Sequence, residues 1–302
     1  MQRYGLIVVK LFKKCKIYYM KVFQTVAELQ SYLLEIKNLA NSSVGFVPTM
    51  GALHAGHISL IEKSNAQTDI TVCSIFVNPT QFNDKKDFER YPIQVDRDIE
   101  MLIQANCDVV FIPGVEEIYP AGAENKVLLD LGFVGQTLEA QHRPGHFEGV
   151  VQVVKRLLEI VQPDFLFLGQ KDYQQCMVIT KLVEAFHFPV KVIICDTLRE
   201  QDGLAMSSRN VRLSREARQA AVKLSKSLYH IKNELKQADL NSLLHEETEK
   251  LNADPLISVE YLKIINGKTL EVVDEYTAEL PLAVLIAAKV GEVRLIDNMI
   301  LQ

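Results

Sequence analysis

The sequence predicts an α/β protein: a parallel sheet covered by helices, followed by a smaller α+β domain. Short β-branched runs alternate with stretches of helical period. The strand-like runs are apolar at nearly every residue, as strands buried on both faces are. After about residue 196 the alternation stops and long polar helices begin.

Ser43 to Val47 reads as a strand and Ile58 to Ala66 as the helix after it. Asp69 to Val77 is a nearly continuous apolar run and reads as a strand. Ile93 to Ala105 is helical by the spacing of Ile99, Leu102 and Ile103, and Asp108 to Ile112 is a strand. Gly149 to Val161 is apolar at 150, 151, 153, 154, 157, 158 and 161, the pattern of a helix with a wide buried face. Asp164 to Leu168 reads as a strand, Gln174 to Phe186 as a helix and Val190 to Cys195 as a strand. Beyond a hinge expected at Asp196 to Arg199, helices are predicted over Ser214 to Ala238 and Leu240 to Leu251. Strands are predicted over Ser258 to Ile265 and Leu282 to Lys289. Crossovers between the parallel strands should be right-handed. The division expected is a basic extension over 1–19, a sheet domain over 20–195 and a small domain over 196–302.

At 302 residues the chain is long enough for two domains. With 48% hydrophobic and 24% charged residues it is neither disordered nor of low complexity. A net charge of -5 argues against a general nucleic-acid binder, and no run reaches the ~18 apolar residues of a membrane helix. Neither nucleic acid nor membrane is an expected partner. The five cysteines form no C-x-x-C pair, which fits a reducing, cytoplasmic setting better than a disulfide framework or a zinc site.

The first nineteen residues carry +5 and no acid, so the remainder carries -10 of the total -5. The apolar run Gly5 to Val9 is broken by Lys10 and is too short for a signal-peptide core. Met20 opens an ordinary pattern, so these residues read as an upstream extension; the other reading is a short basic tail for a membrane surface.

Three loops follow predicted strands, where ligands bind parallel sheets: Pro48 to His57, Asn78 to Phe82 and Gly169 to Gln175. In the first, His54 and His57 stand three apart. If the helix starts near His54, both rings lie on one face of its first turn, beside unpaired N–H groups suited to phosphate. The plainer reading is two packed or surface histidines. A second cluster, Met206, Ser207, Ser208 and Arg209, offers hydroxyls and a guanidinium for phosphate oxygens, or else an ordinary polar loop. In the third, Lys171 supplies a point charge, Asp172 can orient it or a ribose, and Gln175 offers a neutral amide. No Walker motif is present.

These clusters together resemble a known family. H-x-G-H with a later Met-Ser-Ser-Arg is similar to the paired signatures of the class I synthetase and nucleotidylyltransferase superfamily. The longer stretches Pro48 to His54, Phe76 to Phe82, Arg143 to Phe147, Gly169 to Gln175, Asp202 to Asn210 and Arg294 to Asn298 resemble the pantoate–β-alanine ligases, over about Met20 to the C-terminus. The resemblance implies a Rossmann-type first domain and a small C-terminal lid. It implies ATP as substrate with magnesium carried mainly by its phosphates, and a homodimer. It also implies a two-step reaction: pantoate and ATP give pantoyl adenylate and pyrophosphate, and β-alanine then gives pantothenate and AMP.

Carried over residue by residue, Met50, Gly51, Ala52, Leu53, His54, Ala55, Gly56 and His57 would line the ATP site, with Gly169, Gln170, Lys171, Asp172, Leu198, Met206, Ser207, Ser208 and Arg209. His57, His54, Lys171 and Arg209 would be catalytic. Gln81 and Gln175 would hold the substrates, with Asn78, Tyr91, Arg143 and His146 around them. No protein ligand to a metal is implied. Gln170 stands where relatives more often carry an acid, Ile93 where they carry a polar or basic residue, and the basic leader has no counterpart. Two rivals remain at this point: a nucleotidylyltransferase acting on a phosphorylated substrate, and a binding protein without catalysis.

Overall fold

The computed structural model describes residues 9–13, 16–81, 91–121 and 127–302. Phe82 of the second motif and residues 1–8, 14 and 15 of the leader lie outside the described residues. The chain divides into two compact units, one of residues 1–130, 143–169 and 178–195, the other of 131–142, 170–177 and 196–302.

The first unit is built on a seven-stranded sheet. Its strands are β1 (Val9–Lys13), β2 (Lys16–Phe23), β3 (Val44–Thr49), β4 (Ile70–Ile75), β5 (Val109–Phe111), β6 (Phe165–Gly169) and β7 (Lys191–Cys195), in the order β1-β2-β5-β4-β3-β6-β7. Six of them, β2 to β7, run parallel, as the apolar runs predict; β1 pairs antiparallel with β2 as a hairpin. Part of the basic leader is thus built into the sheet edge. From β3 the chain steps through β4 to β5 on one side, and later places β6 and β7 on the other. The reversal lies between β3 and β6, where an open parallel sheet offers a crevice at its carboxyl ends.

The helices begin and end where local chemistry allows. In α1 (Val26–Ala40) Thr25 caps the start by accepting the Glu28 N–H, and Asn41 closes the end in the left-handed region. The helices α2 (Ala55–Gln67), α3 (Val95–Gln104), α4 (Val115–Ile118) and α5 (Glu139–His142) follow in sequence. Next comes α6 (His146–Val161), which buries Val150, Val151, Val153, Val154, Leu157, Leu158 and Val161, the face read from the sequence. After it comes α7 (Tyr173–Ala185). Val47, Ile61, Cys73, Leu102, Val110 and Phe167, all fully buried, join sheet to helices in one core.

The second unit carries α8 (Arg215–Glu234), α9 (Leu240–Asn252) and an antiparallel sheet in the order β10-β9-β8. Its strands are β8 (Ile257–Asn266), β9 (Leu282–Val290) and β10 (Val293–Ile300). The outwardly polar α8 buries Ala221, Leu224, Leu228 and Ile231 at helical spacing against Ile264, Val284 and Ile286. Segment 131–142 is tied to this sheet by Glu139, a buried carboxylate that takes both terminal nitrogens of Arg294 at 2.9 and 2.7 Å and the Tyr261 hydroxyl at 2.8 Å.

The strands β1, β2 and β10 and the helix α1 go beyond the sequence reading. In β10 the polar Arg294, Asp297 and Asn298 interrupt the apolar pattern, yet Asp297 and Asn298 are buried. No helix among the described residues is long and apolar enough to cross a membrane.

Candidate active site

The loop leaving β3 is shaped by a buried acid. Gly51 and Ala52 both lie in the left-handed region, at φ 79° and 51°. For alanine that conformation costs about 1 kcal/mol and persists only where the surroundings enforce it. Asp98 enforces it: from α3 its carboxylate accepts the Ala52 N–H at 2.9 Å and the Leu53 N–H at 2.7 Å. The Asp98 side chain packs so close that a Cβ at position 51 would lie 2.9 Å from its Oδ2, so glycine is required there on two counts. Thr49 Oγ1 accepts the Gly51 N–H, and Tyr91 donates its hydroxyl to the Gly51 carbonyl at 3.3 Å. Asp98 is 1% exposed, and burial holds its carboxyl above the usual carboxylate range against the lowering pull of the two N–H donors.

This bend delivers the chain into α2 with His54 as N-cap. His54 Nδ1 accepts the Gly56 N–H at 3.1 Å, and His57 Nδ1 accepts the His54 N–H at 3.4 Å, a capping box made of two imidazoles. Their ring centroids are 4.1 Å apart. The expectation of unpaired N–H groups at this helix start is corrected in part. The Gly56 N–H is taken by His54, and the His57 N–H by the His54 carbonyl at 2.8 Å. Because each Nδ1 accepts, each neutral ring carries its proton on Nε2, so the donors offered here are imidazole N–H groups.

Beyond β4 the 3-10 turn Pro79–Gln81 rests on the first turns of α6. Contact is so close that a Cβ on Gly149 would lie 2.4 Å from the Thr80 carbonyl oxygen; only glycine admits the turn. Asn78, 1% exposed, fixes the Gln81 amide: its Nδ2 donates to Gln81 Oε1 at 3.2 Å and to the Gly149 carbonyl at 3.1 Å. Its Oδ1 accepts from Thr80 and from the Tyr119 hydroxyl. With Oε1 engaged, the NH2 group of the buried Gln81 lies against Met50 Sδ at 2.8 Å. A thioether is a weak acceptor that a ligand oxygen would displace. His146 begins α6 and donates Nδ1–H to the Gln81 carbonyl at 2.9 Å, the opposite tautomer to His54 and His57. Arg143, three residues before, accepts the His146 N–H on its carbonyl. Asn78, Gln81, Met50 and His146 thus form one cluster.

In the second unit, Gln170, Lys171 and Asp172 form a 3-10 turn, with Lys171 Nζ 3.5 Å from Asp172. Gln170 turns its side chain to Asn298, donating to Oδ1 at 3.1 Å. Gln175 is half-buried in α7, whereas neighbouring Gln174 is buried and spends its amide on the Val134 and Thr137 carbonyls. Leu198 and Met206 are paired, the Met206 N–H donating to the Leu198 carbonyl at 3.0 Å. Ser207 caps the following 3-10 turn, its Oγ accepting the Arg209 N–H at 3.2 Å.

Sequence reasoning assigned no role to Asp98 or Asn298. For Asp98 the available signal is an acid four residues before Leu102, on the apolar stripe of its helix. Cys73 and Cys107 are unsuited to nucleophilic chemistry: burial pushes the Cys73 thiol up to about 12 and raises Cys107 well above the usual thiol range.

A pH experiment reports on Asp98. Its folded pKa lies above the unfolded value, so the folded state binds the proton more tightly. Its contribution to stability therefore falls as pH rises from the usual carboxylate range through the raised value. Asp98→Asn removes that titration and turns an NH2 group toward one backbone N–H, a loss of about 1–3 kcal/mol. Thermal unfolding from pH 3 to 8 should show a stability gap between the two proteins that is wider below pH 4 than at pH 7. A gap that widens with pH contradicts the assignment.

Comparison with known proteins places nearly the whole chain in one family. A family model described as Pantoate-beta-alanine ligase matches residues 21–300. The chain is 46% identical over 279 residues to the pantothenate synthetase of Cytophaga hutchinsonii, covering 92% of this chain and 98% of that one. It is 44% identical over 280 residues to that of Porphyromonas gingivalis, covering 93% and 99%. The pantothenate synthetase structure from Thermus thermophilus superposes with a TM-score of 0.86 at 40% identity, covering 93% and 99%. A pantoate-beta-alanine ligase from Francisella tularensis, complexed with beta-gamma ATP and beta-alanine, gives 0.78 at 38%, covering 93% and 98%. By fold and by sequence over nearly its whole length, the chain belongs to the pantoate–β-alanine ligase family.

Proposed function

We propose that this enzyme joins pantoate to β-alanine at the expense of ATP, through a pantoyl adenylate, releasing pyrophosphate and AMP. In the first step a pantoate carboxylate oxygen forms a bond to the α-phosphorus while the bond to pyrophosphate breaks. In the second the β-alanine amine attacks the acyl carbon, loses a proton, and AMP leaves.

Beyond family membership, the observation that carries this reading is the seat of Gln81. Asn78 occupies Gln81 Oε1 and leaves the neutral Gln81 NH2 group against the weak thioether acceptor of Met50. Neutral donors suit an acid that must remain a nucleophile, because a cationic clamp would bind its charge and blunt it. Gln81 and Gln175 hold pantoate in this reading, with Asn78, Arg143 and His146 around them. Cations belong on the other reactant, where charge develops on the leaving pyrophosphate. Lys171 and Arg209 supply them, and Ser207 and Ser208 add hydroxyls. His54 and His57 donate hydrogen bonds from Nε2, His57 at the position the resemblance makes catalytic. Met50 to His57, Gly169 to Asp172, Leu198 and Met206 line the nucleotide. Holding both reactants in line contributes several kcal/mol to lowering the barrier, a share of the roughly 7–11 kcal/mol open to ideal alignment.

Magnesium belongs to this reading as the companion of ATP. Among the described residues no group of three His, Cys, Asp or Glu side chains could hold a metal ion, so the ion's ligands would be mainly phosphate oxygens, and no step is assigned to it. Residues 196–302 act as a lid, since Ser207 and Arg209 lie beyond the hinge. The enzyme works in the cytoplasm, where its thiols stay reduced; none of Cys73, Cys107, Cys176 and Cys195 is in a disulfide.

Purified protein with ATP, magnesium, pantoate and β-alanine should release AMP, and omission of any one organic substrate should abolish it; silence from folded protein refutes the function. His57→Ala should slow single-turnover adenylate formation at least 100-fold with circular dichroism unchanged, in line with the roughly 10²–10³ lost with one donor to developing charge. Near-normal adenylate formation removes His57 from the chemistry. As a homodimer the protein should sediment at twice the 34.2 kDa chain mass; a monomer at micromolar concentration would contradict that part.

A further inference from the structure

The last strand, β10, buries two polar residues that take no part in the chemistry proposed above. Asn298 is 2% exposed and Asp297 4%. Asn298 engages both polar atoms of its side chain. Nδ2 donates to the carbonyls of Gln170 at 2.9 Å and Lys171 at 2.8 Å, and Oδ1 accepts from Gln170 Nε2 at 3.1 Å. Two successive carbonyls converge on one NH2 group, which fixes the curvature of the turn bearing Lys171. An aspartate there would set a carboxylate against two carbonyl oxygens, and an alanine would leave both carbonyls without this donor.

The same dipeptide holds the second cationic loop. Asp297 takes the Arg199 guanidinium as a fork, at 2.6 and 3.0 Å, and Arg199 also donates to the Asn298 carbonyl at 3.0 Å and the Gly203 carbonyl at 3.1 Å. Arg199 lies in the narrow loop closed by the Leu198–Met206 pair and by Glu200 N–H to the Leu204 carbonyl at 2.8 Å. That loop runs directly into Ser207, Ser208 and Arg209. Asp297 and Asn298 are themselves held in register by β9, opposite Ile286 and Leu285. Lys171 and the Met206–Arg209 segment, 35 residues apart at their nearest ends in sequence, therefore share one anchor.

We infer that Asn298 is a positioning residue for ATP activation, acting through Lys171, and that Asp297 beside it sets the Met206–Arg209 segment in the same frame. The inference rests on the reading of Lys171 as a phosphate-binding cation.

A double-mutant cycle separates this role from plain stability. The readout is kcat/KM for ATP in AMP release, with full-length wild type, Asn298→Ala, Lys171→Ala and the double variant. Loss of a positioning contact of this kind costs about 10–100-fold. Asn298→Ala should lower kcat/KM for ATP by that factor in the wild-type background and by less than about threefold in the Lys171→Ala background. Asn298→Ser, which keeps a small polar group in the pocket but cannot reach both carbonyls, should follow the same pattern and carries the test if the alanine variant does not fold. An effect below twofold, equal factors in both backgrounds, or failure of both variants to fold overturns the inference. If wild type is active and Lys171→Ala leaves kcat/KM for ATP unchanged, the reading of Lys171 itself falls, and the inference with it.

Discussion

The site depends on one buried carboxylate. Asp98 accepts two consecutive backbone N–H groups from a stretch that local energetics disfavour, since Ala52 sits at positive φ. Burying that carboxylate costs free energy, as its raised pKa records. The return is geometric. With Gly51 to Leu53 pinned, the chain enters α2 at a fixed angle and His54 falls at the N-cap. Strain and a desolvated charge together at one loop, beside the carboxyl end of a parallel strand, are what a preorganised site requires and what packing alone would not retain.

Each unit orients one turn of the proposed site with a buried asparagine. Asn78 sets the Gln81 amide beside α6, and Asn298 sets the turn carrying Lys171. Asparagine suits this task because its short side chain offers two donors and one acceptor in a plane, enough to read a backbone turn and an adjacent amide at once. A charged residue would orient as well but would add its own field to the site. In the proposed reaction, neutral amides one layer back would thus hold the Gln81 amide and the turn carrying Lys171, while buried carboxylates, Asp98 and Asp297, hold the other loops.

Much of this was legible in the sequence, and the limits have physical causes. Apolar periodicity located β3 to β7 and the long helices between them within a few residues, because buried parallel strands and one-sided helices leave strong local patterns. The helix α2 was read from Ile58 and begins three residues earlier, at Ala55; a start near His54 entered only as a condition, because an imidazole is not an ordinary cap. The strand β10 was not legible, because Asp297 and Asn298 are buried by virtue of partners at Arg199 and Gln170, about a hundred residues away. Asp98 likewise draws its meaning from Ala52 and Leu53, 46 and 45 residues before it. Long-range satisfaction of polar groups leaves no period in a sequence. The resemblance to a family supplied roles for Asn78, Gln81 and Lys171, but none for Asp98 or Asn298, which hold the loops beside them.

The two capping imidazoles carry the same economy of charge into the helix start. A helix start normally presents its positive end through bare N–H groups. Here the Gly56 N–H binds the His54 ring at Nδ1, and the His54 N–H, at the entry to the helix, binds the His57 ring at Nδ1. Each bond polarises its ring and keeps the proton on Nε2, so the backbone at the helix start acts at a distance of one imidazole. Such a group donates a hydrogen bond, and through it a share of positive charge, without the full charge of a lysine. It strengthens as an oxygen opposite gains negative charge. In the proposed reaction it would therefore favour the transition state over bound ATP, which is the condition for faster chemistry rather than only tighter binding.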